Sequence, residues 1–200
     1  MEYKFLIGEA ILEKEYDNNK DMVFGNLQDS YKNLPLKTKV AYEYLASCHS
    51  PPKYFLLIDD DTWFAVEPIR KTLQDSKALN QIYGNMRRGS PRGPWSEKTK
   101  LVVNTTIWEP DKWPTWVDGP CTFMRGDAAM KIAKTASKTN WLEAIPVEDV
   151  FFSGIVRLKA KLKEPLTKAK FNPERIHCRH LKNNLPQLKK LMNYKPVPST

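Results

Sequence analysis

Three adjacent carboxylates, Asp59-Asp60-Asp61, follow directly on the apolar run Tyr54–Ile58. Neighbouring carboxylates repel one another, and a cation relieves that repulsion. Mg²⁺ and Mn²⁺ prefer oxygen ligands, and ligands of α/β sheets gather at the carboxyl ends of strands. A divalent-metal site holding a diphosphate is therefore expected here. A solvated acidic turn is the competing reading, and the buried strand running straight into three Asp weighs against it. A second carboxylate pair, Glu148-Asp149, precedes the apolar run Val150-Phe151-Phe152. It reads either as a helix cap with an acidic first turn or as a general base at a helix start, and chemistry alone favours the cap narrowly. Trp113–Pro120 (WPTWVDGP) combines Trp, Asp and Gly, as in pockets where an aromatic face covers a sugar ring and a carboxylate holds hydroxyls. An aromatic turn packed on the core is an equal alternative. His177 and His180 could ligate a metal, although lone histidines are more often structural or exposed. Asn104-Thr105-Thr106 is an N-glycosylation sequon, a motif that also arises by chance.

Charge is distributed unevenly. The chain carries +9 over 200 residues, yet residues 151–200 hold 12 Lys/Arg against 2 Asp/Glu, so the positive excess lies in the last quarter. Such a field attracts phosphate-bearing ligands, or is simply a solvated basic surface. Hydrophobic residues make up 41% of the chain, enough for a sizeable core. No stretch reaches the roughly 18 consecutive apolar residues of a membrane helix, and Phe5–Gly8 is too short for a signal peptide. Cys48, Cys121 and Cys178 are far apart with no CxxC spacing, so no zinc site is indicated.

The elements that must position these residues alternate in type. Strands are expected at Lys4–Gly8, Asp21–Gly25, Tyr54–Ile58 (buried on both faces) and Gln81–Asn85. Helices are expected at Glu9–Asn18, Leu34–Cys48, Glu67–Leu73, Gly126–Ser137 and Asp149–Leu158. In the clearest of them, Leu36, Val40, Tyr44 and Leu45 would share one face, with Pro35 in the first turn. Arg87–Glu97 reads as a loop. The pattern implies one α/β domain over residues 1–194 with a central, mostly parallel sheet flanked by helices, and a disordered tail at 195–200.

With these residues in view, the sequence resembles the β-1,3-galactosyltransferase-like glycosyltransferases of family 31. The likeness is ordered along most of the chain. Lys4–Gly8 (KFLIG) is similar to a family strand ending in Gly. Leu27–Thr38 (LQDSYKNLPLKT) resembles the signature D-S-Y-x-N-L-T-x-K-T, with Pro35 in place of Thr. Cys48, the YFLLI strand and Asp59–Asp61 match the cysteine, strand and triple-Asp element. Trp113–Met124 resembles the Y-P-x-Y-x-x-G-x-x-Y-V segment, and Glu148-Asp149-Val150 the E-D-V element.

The resemblance implies a GT-A-like, Rossmann-like fold whose first strand, with a membrane anchor and stem, would precede KFLIG. It implies a metal-dependent inverting hexosyltransferase of the Golgi membrane, lumenal side. Galactose or N-acetylglucosamine would pass from a UDP-sugar to a glycan or glycoprotein hydroxyl in β-1,3 linkage. Asp61 and His180 would hold Mn²⁺ or Mg²⁺, with His177 as the alternative ligand. Asp149 would be the base, facing the same cleft as Asp61 but too far from it to share an ion. Asp59, Asp60, Asp29, Lys37, Trp116, Asp118, Gly119 and Glu148 would contact substrates, Glu148 pointing elsewhere than the cleft that Asp149 faces and mattering less. Asn104 would carry glycan. Cys48, which matches a family position, is the cysteine expected in a disulfide, with Cys121, Cys178 or an upstream residue as partner. The family's G-x-G-Y-V stretch is replaced by Gly119-Pro-Cys-Thr-Phe-Met, a departure on the acceptor side. The rival reading is a family member without activity, serving as a chaperone or glycan-binding protein. Nucleic acid is not expected as a partner, because no motif for it is present.

Overall fold

The structure, a computed structural model, describes residues 4–7, 22–28, 30, 33–75, 78–88, 110–139, 147–163 and 178–180. The elements are β1 (Phe5–Ile7), β2 (Met22–Phe24), α1 (Leu34–Ser47), β3 (Tyr54–Ile58), β4 (Thr62–Phe64), α2 (Val66–Gln74), β5 (Ile82–Arg87), β6 (Trp116–Arg125), α3 (Gly126–Ala136), α4 and β7 (Cys178–His180). Helix α4 is π-helical over Val150–Val156 and α-helical over Arg157–Lys159. The expected Glu9–Asn18 helix and the 195–200 tail lie outside the described residues, as does all but the start of the Arg87–Glu97 loop, whose Arg87 is the last residue of β5.

The fold is mixed α/β, but the expected mostly parallel central sheet is not what the described residues form. The three-stranded sheet has the order β3-β6-β5, and both pairings are antiparallel. Only the small β1–β2 pair is parallel among the described strands. The physical reason is β6. Its ten residues run between β3 and β5, reversing both neighbours, whereas its Gly119-Pro120 centre reads in sequence as a turn.

Side chains alternate across this sheet, as a pleat requires. Ile82 and Met124 enter one core with Tyr42, Leu45, Ala129, Ile132, Val150 and Phe152. Tyr83, Cys121 and Phe123 enter the other with Ile69 and Leu73 of α2. Helices α1, α3 and α4 thus cover one face and α2 the other. Strand β3 follows the same alternation: Phe55 packs against the first core and Tyr54, Leu56 and Ile58 against the second. All five of its residues are half-buried rather than fully buried.

Helix α1 buries Pro35, Thr38, Tyr42 and Leu45, a three-to-four residue spacing that makes one continuous stripe. Of the expected face, Leu45 is buried, but the stripe is turned away from Leu36, Val40 and Tyr44, and Tyr44 is exposed. Alanines at 128, 129, 133 and 136 of α3 keep its buried side small, so it packs closely on α1. The Tyr42 ring lies 5.2 Å from Phe55 and 5.0 Å from Phe152, centroid to centroid, tying α1 to the sheet and to α4.

Strand β7 pairs with β4 in antiparallel register, with Phe64 opposite Cys178 and Thr62 opposite His180. A disulfide between Cys121 and Cys178 fastens this ribbon to β6. The expectation for Cys48 is therefore corrected: it is a free, half-buried thiol at the end of α1, and its S–H donates to the Tyr44 carbonyl at 3.4 Å. Cys48 precedes β3, while Cys121 pairs with Ile58 at the far end of that strand.

Candidate active site

The site is organised by a bulge in β6. On the β5 side, Gly84 pairs with Thr122 and Met86 pairs with Val117. One residue of β5, Asn85, therefore faces four of β6: Asp118, Gly119, Pro120 and Cys121. Bulges re-aim side chains and gather near active sites. This one needs Gly84, since a Cβ there would collide with the Val117 side chain and come within 2.6 Å of the Cys121 carbonyl oxygen.

Each bulge residue is tied to a different part of the molecule. Asp118 accepts from Asn85 Nδ2 at 2.5 Å and from Arg87 Nε at 2.8 and 3.0 Å, with Arg87 Nη2 at 2.8 Å. Gly119 lies against Glu148 and Asp149; a Cβ added to it would stand 2.5 Å from Asp149 Oδ1 and 2.9 Å from Glu148 Oε1. The Pro120 carbonyl accepts from the Asp59 amide at 3.1 Å. Cys121 carries the disulfide to β7. The triple-Asp segment and the Glu148-Asp149 pair thus flank one dipeptide, Gly119-Pro120, although 90 residues of sequence separate Asp59 from Asp149.

Asp59–Thr62 closes a tight turn, Thr62 N–H donating to the Asp59 carbonyl at 3.0 Å. It leaves Asp59 and Asp60 exposed and Asp61 half-buried. The β4–β7 register puts His180 opposite Thr62, next in sequence to Asp61. Among the described residues no three His, Cys, Asp or Glu side chains form a metal cluster.

Asp149 does not cap α4 with its side chain. Its backbone is already helical, with φ −58° and ψ −52°, and it makes no side-chain cap bond. Instead it lines a narrow cleft with Glu148, Gly119, Thr38, Tyr42 and Ser153. Burial, a hydrogen bond with Glu148 and the Glu148 charge push its carboxyl up to about 10. The Gly119 amide, donating to it, works in the opposite direction, and Asp118 adds a smaller upward push. Glu148 is therefore not turned away, as expected from the sequence, but is the direct partner of Asp149. Burial also raises the Tyr42 phenol, which stays protonated.

Ser153, one helical turn after Asp149, holds this arrangement. Its hydroxyl donates to the Asp149 carbonyl at 2.6 Å and accepts from the Val117 amide at 2.8 Å. The π-helical winding, often found at functional sites, brings Ser153 against β6. Buried Arg157 donates to the carbonyls of Ser153, Leu162, Lys163 and Thr115. One cation of the basic last quarter is thus structural rather than part of a surface field.

Trp116 and Trp113 take the core reading: they are 7% and 4% exposed and pack in the first core cluster. Lys37 is half-buried on α1, beside Thr38. Asp29, Asn104 and His177 lie outside the described residues. Thr38, Ser153, Asn85 and Arg87 were not singled out in the sequence. Thr38 ends the Leu27–Thr38 signature, and Ser153 stands four residues after Asp149 on one helix face, so both had a signal. Asn85 and Arg87 had none, because their role depends on the bulge.

The Galactosyltransferase family model matches residues 1–166. The chain belongs to the galactosyltransferase family. Over 169 residues this family member is 27% identical to Beta-1,3-galactosyltransferase bre-2 of Caenorhabditis elegans, covering 78% of the chain and 46% of that protein. It is 26% identical over 156 residues to the Homo sapiens Lactosylceramide 1,3-N-acetyl-beta-D-glucosaminyltransferase, covering 73% and 39%. With Beta-1,3-galactosyltransferase 1 of Mus musculus the identity is 26% over 157 residues, covering 74% and 47%. The chain spans less than half the length of these curated relatives.

Gly119→Ala tests the contact between bulge and carboxyl pair. The methyl would displace Asp149 Oδ1, and small-to-large changes in packed sites cost about 1–3 kcal/mol. The variant should be less stable by that amount and melt at a lower temperature than wild type. Wild-type melting would mean that the carboxyl pair yields freely.

Proposed function

We propose that this galactosyltransferase family member is an inverting hexosyltransferase that moves galactose or N-acetylglucosamine from a UDP-sugar to a glycan or glycoprotein hydroxyl in β-1,3 linkage. The observation that carries this is the pair of acidic segments, Asp59–Asp61 and Glu148-Asp149, flanking Gly119-Pro120. The names of the relatives, a beta-1,3-galactosyltransferase and a 1,3-N-acetyl-beta-D-glucosaminyltransferase, agree with it.

The donor set of the first segment suits Mn²⁺ or Mg²⁺. Asp61 directly precedes Thr62, the residue that pairs with His180 in the β4–β7 register, and Mg²⁺-type sites use one or two carboxylates together with substrate phosphates. When bound, the ion would offset charge on the departing diphosphate. Asp59 and Asp60 would meet donor ribose or sugar hydroxyls. Asp149 would accept the proton of the acceptor hydroxyl, its unprotonated form supported by the Gly119 amide. A single displacement by that oxygen inverts the anomeric carbon. A double displacement would require a nucleophilic carboxylate at the reacting face, and we assign none.

The Cys121–Cys178 disulfide favours an oxidising compartment, in keeping with a lumenal enzyme of the Golgi. Asn104 would be glycosylated there.

Calorimetry with UDP and Mn²⁺ tests the donor side. Wild type should bind UDP in a metal-dependent way, and Asp61→Ala should weaken that binding by at least about tenfold with unchanged melting. Equal metal-dependent binding in both proteins would overturn the assignment of Asp61.

A further inference from the structure

Asp118 sits one residue from Gly119, on whose amide Asp149 rests, and its charge reaches Asp149. An unbalanced carboxylate at that place would oppose ionisation of the base. The fold balances it from β5. Arg87 spans both carboxylate oxygens, and Asn85 donates to one of them. The Asp118 side chain is 19% exposed and that of Arg87 55%, so the guanidinium covers the carboxylate from the solvent side. A forked Arg–carboxylate pair fixes orientation as well as charge. Asn85 is also the single β5 residue opposite the whole bulge, so one side chain joins strand, bulge and acid.

We propose that Arg87 and Asn85 are positioning residues for the transfer reaction: by holding the Asp118 carboxylate they fix the β6 bulge under Asp149 and shield the base from a neighbouring negative charge. The proposal rests on the assignment of Asp149 as base. Neither residue touches the reacting atoms. Among the described residues, the titratable groups around Asp149 are Glu148 on its own helix, Asp118 on β6 and the Tyr42 phenol on α1. Arg87 acts through Asp118.

The test reads the Asp149 carboxyl directly, by carbon-13 NMR titration of protein labelled at Asp and Glu side chains. The signal is assigned by its loss in Asp149→Asn, and pH–rate profiles are taken alongside. In Arg87→Met the Asp149 titration should move upward by on the order of half a unit to one unit. At neutral pH the transfer rate should fall by a similar factor, up to about tenfold, and recover as pH rises. Arg87→Lys keeps the charge and should restore much of the position. Asp118→Asn removes the charge and should move the titration downward. A merely structural role would lower activity at every pH and leave the titration in place. An unmoved Asp149 signal in Arg87→Met overturns the proposal. Should wild type transfer no sugar while the signal still moves, the electrostatic coupling stands and the hexosyltransferase assignment fails.

Discussion

Asp149→Asn should lower kcat by at least about 10²-fold, the lower range for loss of a general base, while leaving metal-dependent UDP binding unchanged. Asn fills the same space but cannot take the acceptor proton. The same variant should be more stable than wild type at neutral pH. The Asp149 carboxyl is pushed up from 3.8 to about 10 by burial and Glu148. Between those values the folded protein holds a proton that the unfolded chain releases, so wild-type stability declines as pH rises through that window. Asn has no proton to lose. Its melting temperature should therefore vary less with pH, and at neutral pH the gain should be on the order of 1 kcal/mol or more. For wild type, the rate should rise with pH and level off only as the pH passes the Asp149 titration, which burial and Glu148 push up to about 10. A variant that is inactive and also less stable would indicate that Asp149 serves the fold instead.

Breaking the Cys121–Cys178 bond should be the most damaging single change to stability. The disulfide closes a loop of 57 residues, and chain entropy puts its worth at about 4 kcal/mol. For a chain of this size that is a drop in melting temperature on the order of 10 °C. It also joins the β6 bulge to β7, so metal-dependent UDP binding should weaken with it. Cys121→Ser, Cys178→Ser and reduction of wild type should all give this result. Cys48→Ser should stay within about 0.5 kcal/mol of wild type. Peptide mapping under non-reducing conditions checks the pairing, and a Cys48 link would contradict it.

Much of the local structure was legible in the sequence, for stated physical reasons. Tyr54–Ile58 is a continuous apolar run of strand length, and β3 has those bounds. Pro35 at a helix start and the apolar spacing after it gave α1, though the face was misassigned because Tyr44 and Leu36 are as apolar as the residues that pack. Strand β6 was hidden by Gly119-Pro120, a dipeptide that signals a turn in isolation. Here it is the centre of a bulge held by long-range contacts. The carboxyl residues of the site were legible because adjacent like charges need a reason. The closeness of Glu148 to Asp149, the Arg87–Asp118 pair and the cysteine pairing were not, since each follows from the path of β6.

The most direct measurement is sugar transfer itself. The protein is incubated with Mn²⁺, UDP-galactose or UDP-N-acetylglucosamine and a panel of glycan acceptors, beside Asp149→Asn, and products are read by mass and by proton NMR of the new anomeric centre. The expected result is a β-1,3-linked product from wild type and none above background from Asp149→Asn. An α-linked product, or equal product from both proteins, would contradict an inverting transferase with Asp149 as its base.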